Sequence, residues 1–482
     1  GGAISQLAGQ ALEVAGVSKL DAGSQAVSLT EAANKFGGLV TVKAGQTAVH
    51  ASENLNVALA NTGATTLGAG QALTLGGTAA SLDATAGGAI SQRAGQALEV
   101  TGTTTLQAGR EPVSLTGAAN KFGGLVTVKA GQTALSASES LNVALENTDA
   151  TTLTAGQSLD VSGTAASLET VSGALHFGQT KLAADGKFTA HGSVSQESAS
   201  ALEIGGATTL NVDLQAGESI LLANRGNAFG TTLGGKIDLG LAAADSSIHS
   251  KNAVRLAKLE LTGNGLLEIE SSAAMGTTPV QDVRTPVSEN SNCTLPRSCV
   301  SVQTFDGTPE QLSVFEASIS QQKDARITTD PGVTLKLNAS SAKGSIDLSA
   351  GAAVSVTPAD GAAPVVATGL AGLLSTYSKA GTDARELTHT GGTTNQILGP
   401  LSAVTRVDTN QSSGLKTVVV VASDSIRVAE QGIDGDTVML MAREVVGGGG
   451  KIQTHVAATA MSDGRNIATG VDDKPNLLYS IL

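Results

Sequence analysis

The chain has no tryptophan, two tyrosines, seven phenylalanines and four methionines in 482 residues. That scarcity excludes a string of ordinary globular domains, whose cores rest on large side chains. Leu, Val, Ile and Ala must fill the interior instead, in thin regular layers packed at close range. Charged residues are only 15% of the chain, against roughly 25% in an average domain, so Thr, Ser, Asn and Gln carry the polar surface. Lys and Arg number 29 against 42 Asp and Glu, a net charge of −13, and the basic footprint of a nucleic-acid binder is missing. Basic clusters that would hold an anionic membrane are lacking too, and no apolar run is long enough for a membrane span. There is neither an initiator Met nor a signal peptide. The chain opens in mid-repeat at "GGAISQLAGQ" and stops at "NLLYSIL" without a polar cap, which reads as a processed or truncated piece of something longer.

What is present is glycine, 59 residues of it against ten prolines, and repetition. "ANKFGGLVTVKAGQTA" at 33–48 returns letter for letter at 119–134, and "GGAISQLAGQALEV" at 1 is answered by "GGAISQRAGQALEV" at 87, a period of 86 residues. A third, decayed copy follows: "GSVSQESASALEIGGATTL" at 192 answers "GAISQRAGQALEVTGTTTL" at 88, an offset that exceeds the period. The excess has the length of "GALHFGQTKLAADGKFTA" at 173–190, the quantum expected when one rung of a stacked solenoid is duplicated.

Within a rung, short alternating runs such as "ALEVAG", "LVTVKA" and "SLDVSG" are separated by AGQ, GG or NTG. Period-two alternation with turn formers between predicts strands of three to five residues, stacked on their equivalents in neighbouring rungs. The expected fold is an all-β solenoid of about 22 rungs of roughly 21 residues, a rod on the order of 100 Å long. Its divisions are repeat 1 at 1–86, repeat 2 at 87–172, a degenerate repeat 3 with one extra rung at 173–276, an irregular Cys-containing excursion at 277–311, and less regular rungs at 312–482 with a short helix or cap at 369–399.

The rungs carrying "AGQALEV", "NKFGG" and "AGQSLDVSGTAASL" resemble the haemagglutinin-type repeats of filamentous haemagglutinins and related giant exoproteins of Gram-negative bacteria. The resemblance covers residues 1 to about 270 well and the remainder weakly. It implies a right-handed parallel β-helix shaft, secreted through an outer-membrane partner and displayed on the cell surface. The family's Asn-Pro-rich secretion domain, its Val-Glu-Asn-Asn junction and an Arg-Gly-Asp motif are not found here, so a piece of shaft is implied, without secretion head or tip.

Residues able to do chemistry are few. Cys293 and Cys299 in "CTLPRSC" are the only cysteines, and an even count in a secreted context favours a disulfide between them. A zinc site would need two more ligands, and no His stands within 40 positions of either. The six histidines are scattered, and His50 becomes Ser136 in the second copy, as expected of a solvated surface. The densest polar candidates for a polysaccharide-cleaving site are Asp434 and Asp436 in "GIDGD" and Arg385 and Glu386 in "DARELTH", yet such grooves ordinarily carry aromatic platforms that nine aromatics cannot supply. A Thr lattice built on "ATTL" at 64, 150 and 207 lacks one Thr pair per rung. No catalytic, cofactor or metal residue is therefore expected. The leading expectation is a non-enzymatic extracellular shaft that contacts a host or neighbouring cell; a self-assembling fibre or sheath subunit comes second and a β-helix polysaccharide-degrading enzyme third.

Overall fold

A computed structural model describes residues 2–241 and 243–273, together with separate strands between 286 and 481. Parallel strands stack into a β-solenoid of about 13 turns with roughly 20-residue rungs. No helix occurs among the described residues. Two long parallel sheets face each other across the core. The first contains Ile4–Ser5, Val27–Leu29, Thr47–Ala51, Ala64–Ala69 and Ser81–Ala86; the second contains Ser18–Asp21, Leu39–Lys43, Leu55–Ala60 and Leu73–Ala79. The chain visits them alternately, so each turn adds one layer to both.

Side chains alternate inward and outward along every strand because successive Cβ atoms leave opposite faces of the pleat. The inward ones stack in register. Val126, Val143, Val161 and Phe177 form one column in the first sheet, and Leu55, Leu73, Ile90 and Val113 form one in the second. These side chains are fully or almost fully buried. Layers only about 4.8 Å apart favour such slender aliphatic residues. The five phenylalanines of residues 2–273 are all buried, and Phe177 meets Phe188 edge to face at 4.9 Å between ring centres.

The corners show why glycine is abundant. A Cβ on Gly38 would lie 2.6 Å from the Gly16 backbone, and one on Gly124 would lie 2.8 Å from that of Gly102. Gly77 and Gly163 hold φ near +107° and +102°, with the carbonyl oxygens of Leu59 and Leu145 about where a Cβ would go. Only glycine combines that φ with so close an approach.

Turns fall into two classes by length. Compact turns carry the column from Thr47 to Thr65 and on to Leu82. Turns that bulge into a lateral loop are longer, as from Ile4 to Val27 and from Leu82 to Thr104. Residues 174–190 make one complete turn: Leu175 stacks between Leu159 and Val194 in the first sheet, and Gly186 between Leu168 and Thr208 in the second.

The 86-residue period does not contain a whole number of turns. From Ile4 the column climbs four turns through Val27, Thr47 and Thr65 to Leu82. Ile90, the equivalent of Ile4, then lies half a turn further on, in the second sheet. Every strand of copy two is thus displaced to the opposite side from its counterpart in copy one. The third copy, offset by one more whole turn, swings back, and Val194 stands in the first sheet.

Of the stretch 369–399, the short helix or cap expected there falls mostly outside the described residues; in its described part, Glu386–Thr388 and Thr394–Gln396 pair as antiparallel strands. Its β-branched threonines and the Gly-Gly between the two runs suit a hairpin. The rungs average roughly 20 residues as expected, with lateral loops added to some turns and not to others.

Candidate functional site

The lateral loops are the one repeated departure from the plain turn, and all three copies build them in the same way. In copy one, Asn34 is fully buried beneath the loop and its Oδ1 accepts hydrogen bonds from the Leu12 N–H (2.8 Å) and from Gln6 Nε2. Its Nδ2 donates to Gln6 Oε1 (2.9 Å) and to the Leu29 carbonyl (3.2 Å). Copy two repeats the set with Asn120 and Gln92: Leu98 N–H at 2.8 Å, Gln92 Oε1 at 2.9 Å and the Leu115 carbonyl at 3.1 Å. Copy three has Asn227 and Gln196, with Leu202 N–H at 2.9 Å, Gln196 Oε1 at 2.7 Å and the Leu222 carbonyl at 2.9 Å. The glutamine also closes its own loop, donating to the carbonyl of Gln10, Gln96 or Ser200.

Each clasp joins two amides face to face across adjacent turns, so that the buried donors and acceptors of the asparagine are satisfied. Unpaired, such groups would cost about 1–3 kcal/mol each. Sequence reasoning passed over Gln6, Gln92 and Gln196 and their asparagines. The signal was there, since both residues survive in all three copies. Polar drift is itself not always that of a solvated face. His50 lies over Gly68, where a Cβ would be 2.5 Å from its ring, and the copy that has Ser136 for the histidine has Thr154 for the glycine.

Charged groups run up the outside as ladders. Lys35 Nζ lies 2.9 Å from Glu53, and the equivalent pair Lys121–Glu139 stands on the opposite face. Lys187–Glu169 and Lys251–Glu203 follow at 2.7 Å each. Hydrogen bonding to Glu53 and to Glu139 holds the Lys35 and Lys121 ammonium groups above their ordinary pKa. The Lys251 hydrogen bond, aided by its charge and that of Lys181 against some desolvation, holds the Glu203 carboxyl below its own. The "ATTL" threonines split between the two environments: Thr65, Thr151 and Thr208 point inward, Thr66, Thr152 and Thr209 outward. Thr66 and Thr152 face opposite sides, so they form no common rank.

The other residues singled out from sequence are placed as follows. Cys293, Cys299 and Arg385 lie outside the described residues. Glu386 begins the short antiparallel ladder, and Asp434 and Asp436 fall on the strand Ile433–Met441, which pairs with Ile452–Ser462. Of the histidines, His191 is exposed and lies 2.9 Å from Asp213, and His176 meets Ser195 at 2.9 Å. His249 departs from the expected surface role, being only 3% exposed, with Glu270 at 3.9 Å. Among the described residues, no three His, Cys, Asp or Glu side chains come together in a manner suited to a metal ion.

Fold and clasped loops together define a parallel β-solenoid whose turns are decorated at recurring lateral positions. Comparison with protein families matches residues 1–43, 54–129 and 163–234 to repeats of unknown function (DUF5649). Each matched stretch contains one complete Gln–Asn clasp. No match was found among curated proteins or among solved structures.

Proposed function

We propose that this chain is a length of non-enzymatic extracellular shaft from a large bacterial surface adhesin, holding contact surfaces away from the cell that secretes it. The observation carrying this reading is the half-integral repeat. Copying four and a half turns at a time lengthens the rod and sets the same decoration on alternating sides, which suits a spacer displaying similar loops in two directions. The Gln–Asn clasps and the Lys–Glu ladders support it, because both join one turn to the next and so serve stacking. The resemblance to filamentous haemagglutinin-type repeats points to a Gram-negative cell surface and an outer-membrane secretion partner.

The test is attachment by the full-length parent to host or neighbouring cells. Replacing Asp434, Asp436, Arg385 and Glu386 together by Ala should leave attachment largely intact. Cleavage of a defined polysaccharide by the purified rod, lost in that variant, would overturn the proposal in favour of an enzyme. Micrographs separate the second reading: isolated rods fit a shaft, whereas regular end-to-end or lateral stacking identifies a self-assembling fibre, since the ends of a solenoid are unpaired strand edges.

A further inference from the structure

Several asparagines of the stacked turns are held fast: Asn34, Asn120 and Asn227 in the clasps, and Asn61 and Asn147 by the hydroxyls of Thr65 and Thr151 at 2.8 Å each. Asn264 is different. It stands exposed at the first position of the strand Asn264–Ser271, and its side-chain amide has no hydrogen-bond partner among the described residues. Gly265 follows it, making the only Asn–Gly pair in the chain. The strand Ser246–Ser250 of the turn below pairs with Leu267–Ser271, so residues 264–266 are laddered on one side, to Gly332, Val333 and Thr334 of the turn above. From below, the Gly240 carbonyl accepts the Asn264 N–H at 2.6 Å. A Cβ on Gly265 would meet nothing nearer than the Leu239 side chain at 3.6 Å, so the Gly265 nitrogen is shielded neither by a side chain of its own nor by close neighbours on that side.

We propose that Asn264 is a site of spontaneous covalent modification, passing through a cyclic imide to aspartate and iso-aspartate. The Gly265 nitrogen gives its proton to solvent base and bonds to the Asn264 Cγ; the Cγ–Nδ2 bond breaks, and the amide leaves as ammonia with a proton from water. Water then adds to the five-membered imide. Opening at the Cγ–N bond gives aspartate, while opening at the main-chain carbonyl gives iso-aspartate, whose backbone runs through Cβ and Cγ. Asn142 is exposed too, but the β-branched Val143 follows it and crowds the same attack. Either product sets a carboxylate on a corner that already holds Asp238, whose Oδ1 lies 2.8 Å from where a Cβ on Gly263 would stand, and like charges at such range repel. Iso-aspartate also lengthens the main chain by one atom where the strand begins, which works against its register with Gly332–Ala339. The junction between these two turns therefore weakens as the molecule ages, whether the rod serves attachment or a fibre.

Peptide mapping by mass spectrometry of the whole chain, incubated warm beside a free peptide of residues 261–267, tests this. The segment containing Asn264 should gain one dalton, with iso-aspartate among the products, at a rate within about tenfold of the free peptide, since a corner laddered on one side opens readily. Conversion should be faster at mildly alkaline than at mildly acidic pH, because the Gly265 amide must lose its proton. Asn264→Gln should abolish it, a six-membered ring closing far more slowly, and should leave the circular dichroism unchanged. Conversion slower than the free peptide by more than about tenfold, aspartate without iso-aspartate, or Asn142 converting as fast as Asn264 would each overturn the proposal. The aged parent should melt at a lower temperature than Asn264→Gln aged beside it, and equal melting would overturn the weakening of the junction.

Discussion

At the scale of single residues, the buried amides are the most demanding parts of the design. Asn120 satisfies Gln92, the Leu98 N–H and the Leu115 carbonyl at once. Asn120→Ala should therefore destabilise by about 2–4 kcal/mol, seen as a lowered denaturant midpoint, whereas Gln96→Ala on the exposed loop should stay within about 0.5 kcal/mol. Equal effects of the two changes would contradict a structural role for the clasp. The exposed ladders matter less, because water and salt screen them. Glu203, whose pKa is lowered in the fold by Lys251, contributes stability that is complete above the ordinary carboxylate value of 4.5. This contribution is lost as pH falls through the lower folded-state value. Glu203→Gln should then lose less than about 1 kcal/mol at neutral pH, and the gap from the parent should close on acidification. A gap that widens in acid would show the sign to be wrong.

The half turn is the element from which this molecule is built. Each strand and corner can stand in either sheet, since both sheets offer the same inward aliphatic stripe and the same layer spacing. Removing residues 173–190 takes out one complete turn, with the Phe177–Phe188 pair, and returns the third copy to the period of the first two. That deletion should fold, with circular dichroism still wholly β and a modest drop in melting temperature. Deleting only 182–190 removes about half a turn and would carry every later strand across to the other sheet, setting the Gln196–Asn227 clasp against turns that do not match it. It should lower the melting temperature much more. If both deletions behave alike, the half turn is not the operative unit.

For the whole molecule, about 13 turns at roughly 4.8 Å per turn make residues 2–273 a rod of about 60 Å. Electron micrographs of this part should show that length, and an added copy of the 86-residue unit should extend it by about 22 Å. A roughly spherical particle in the same micrographs would refute the solenoid. The same added copy inverts the side on which all later loops appear, so the lateral loops of copy two and of a third identical copy should point oppositely. Growth by copying thus changes direction as well as length.

Much of this was readable in the one-dimensional pattern. Alternation told inward from outward, glycines marked the corners, and the insertion at 173–190 announced a rung, because its length is that of one layer of the stack. These are local properties, fixed within a few neighbouring residues by pleat geometry and turn chemistry. Closure of the solenoid decided the rest. Whether Ile90 joins the sheet of Ile4 depends on the total of strands and corners between them, and two similar sheets leave no local mark of which is which. The Gln92–Asn120 clasp joins residues 28 apart and exists only when two turns are laid one on the other. The glycine at 117 is likewise a relation between neighbouring loops: it reads as one more turn residue until the Gln92 amide is seen 2.3 Å from where its Cβ would stand.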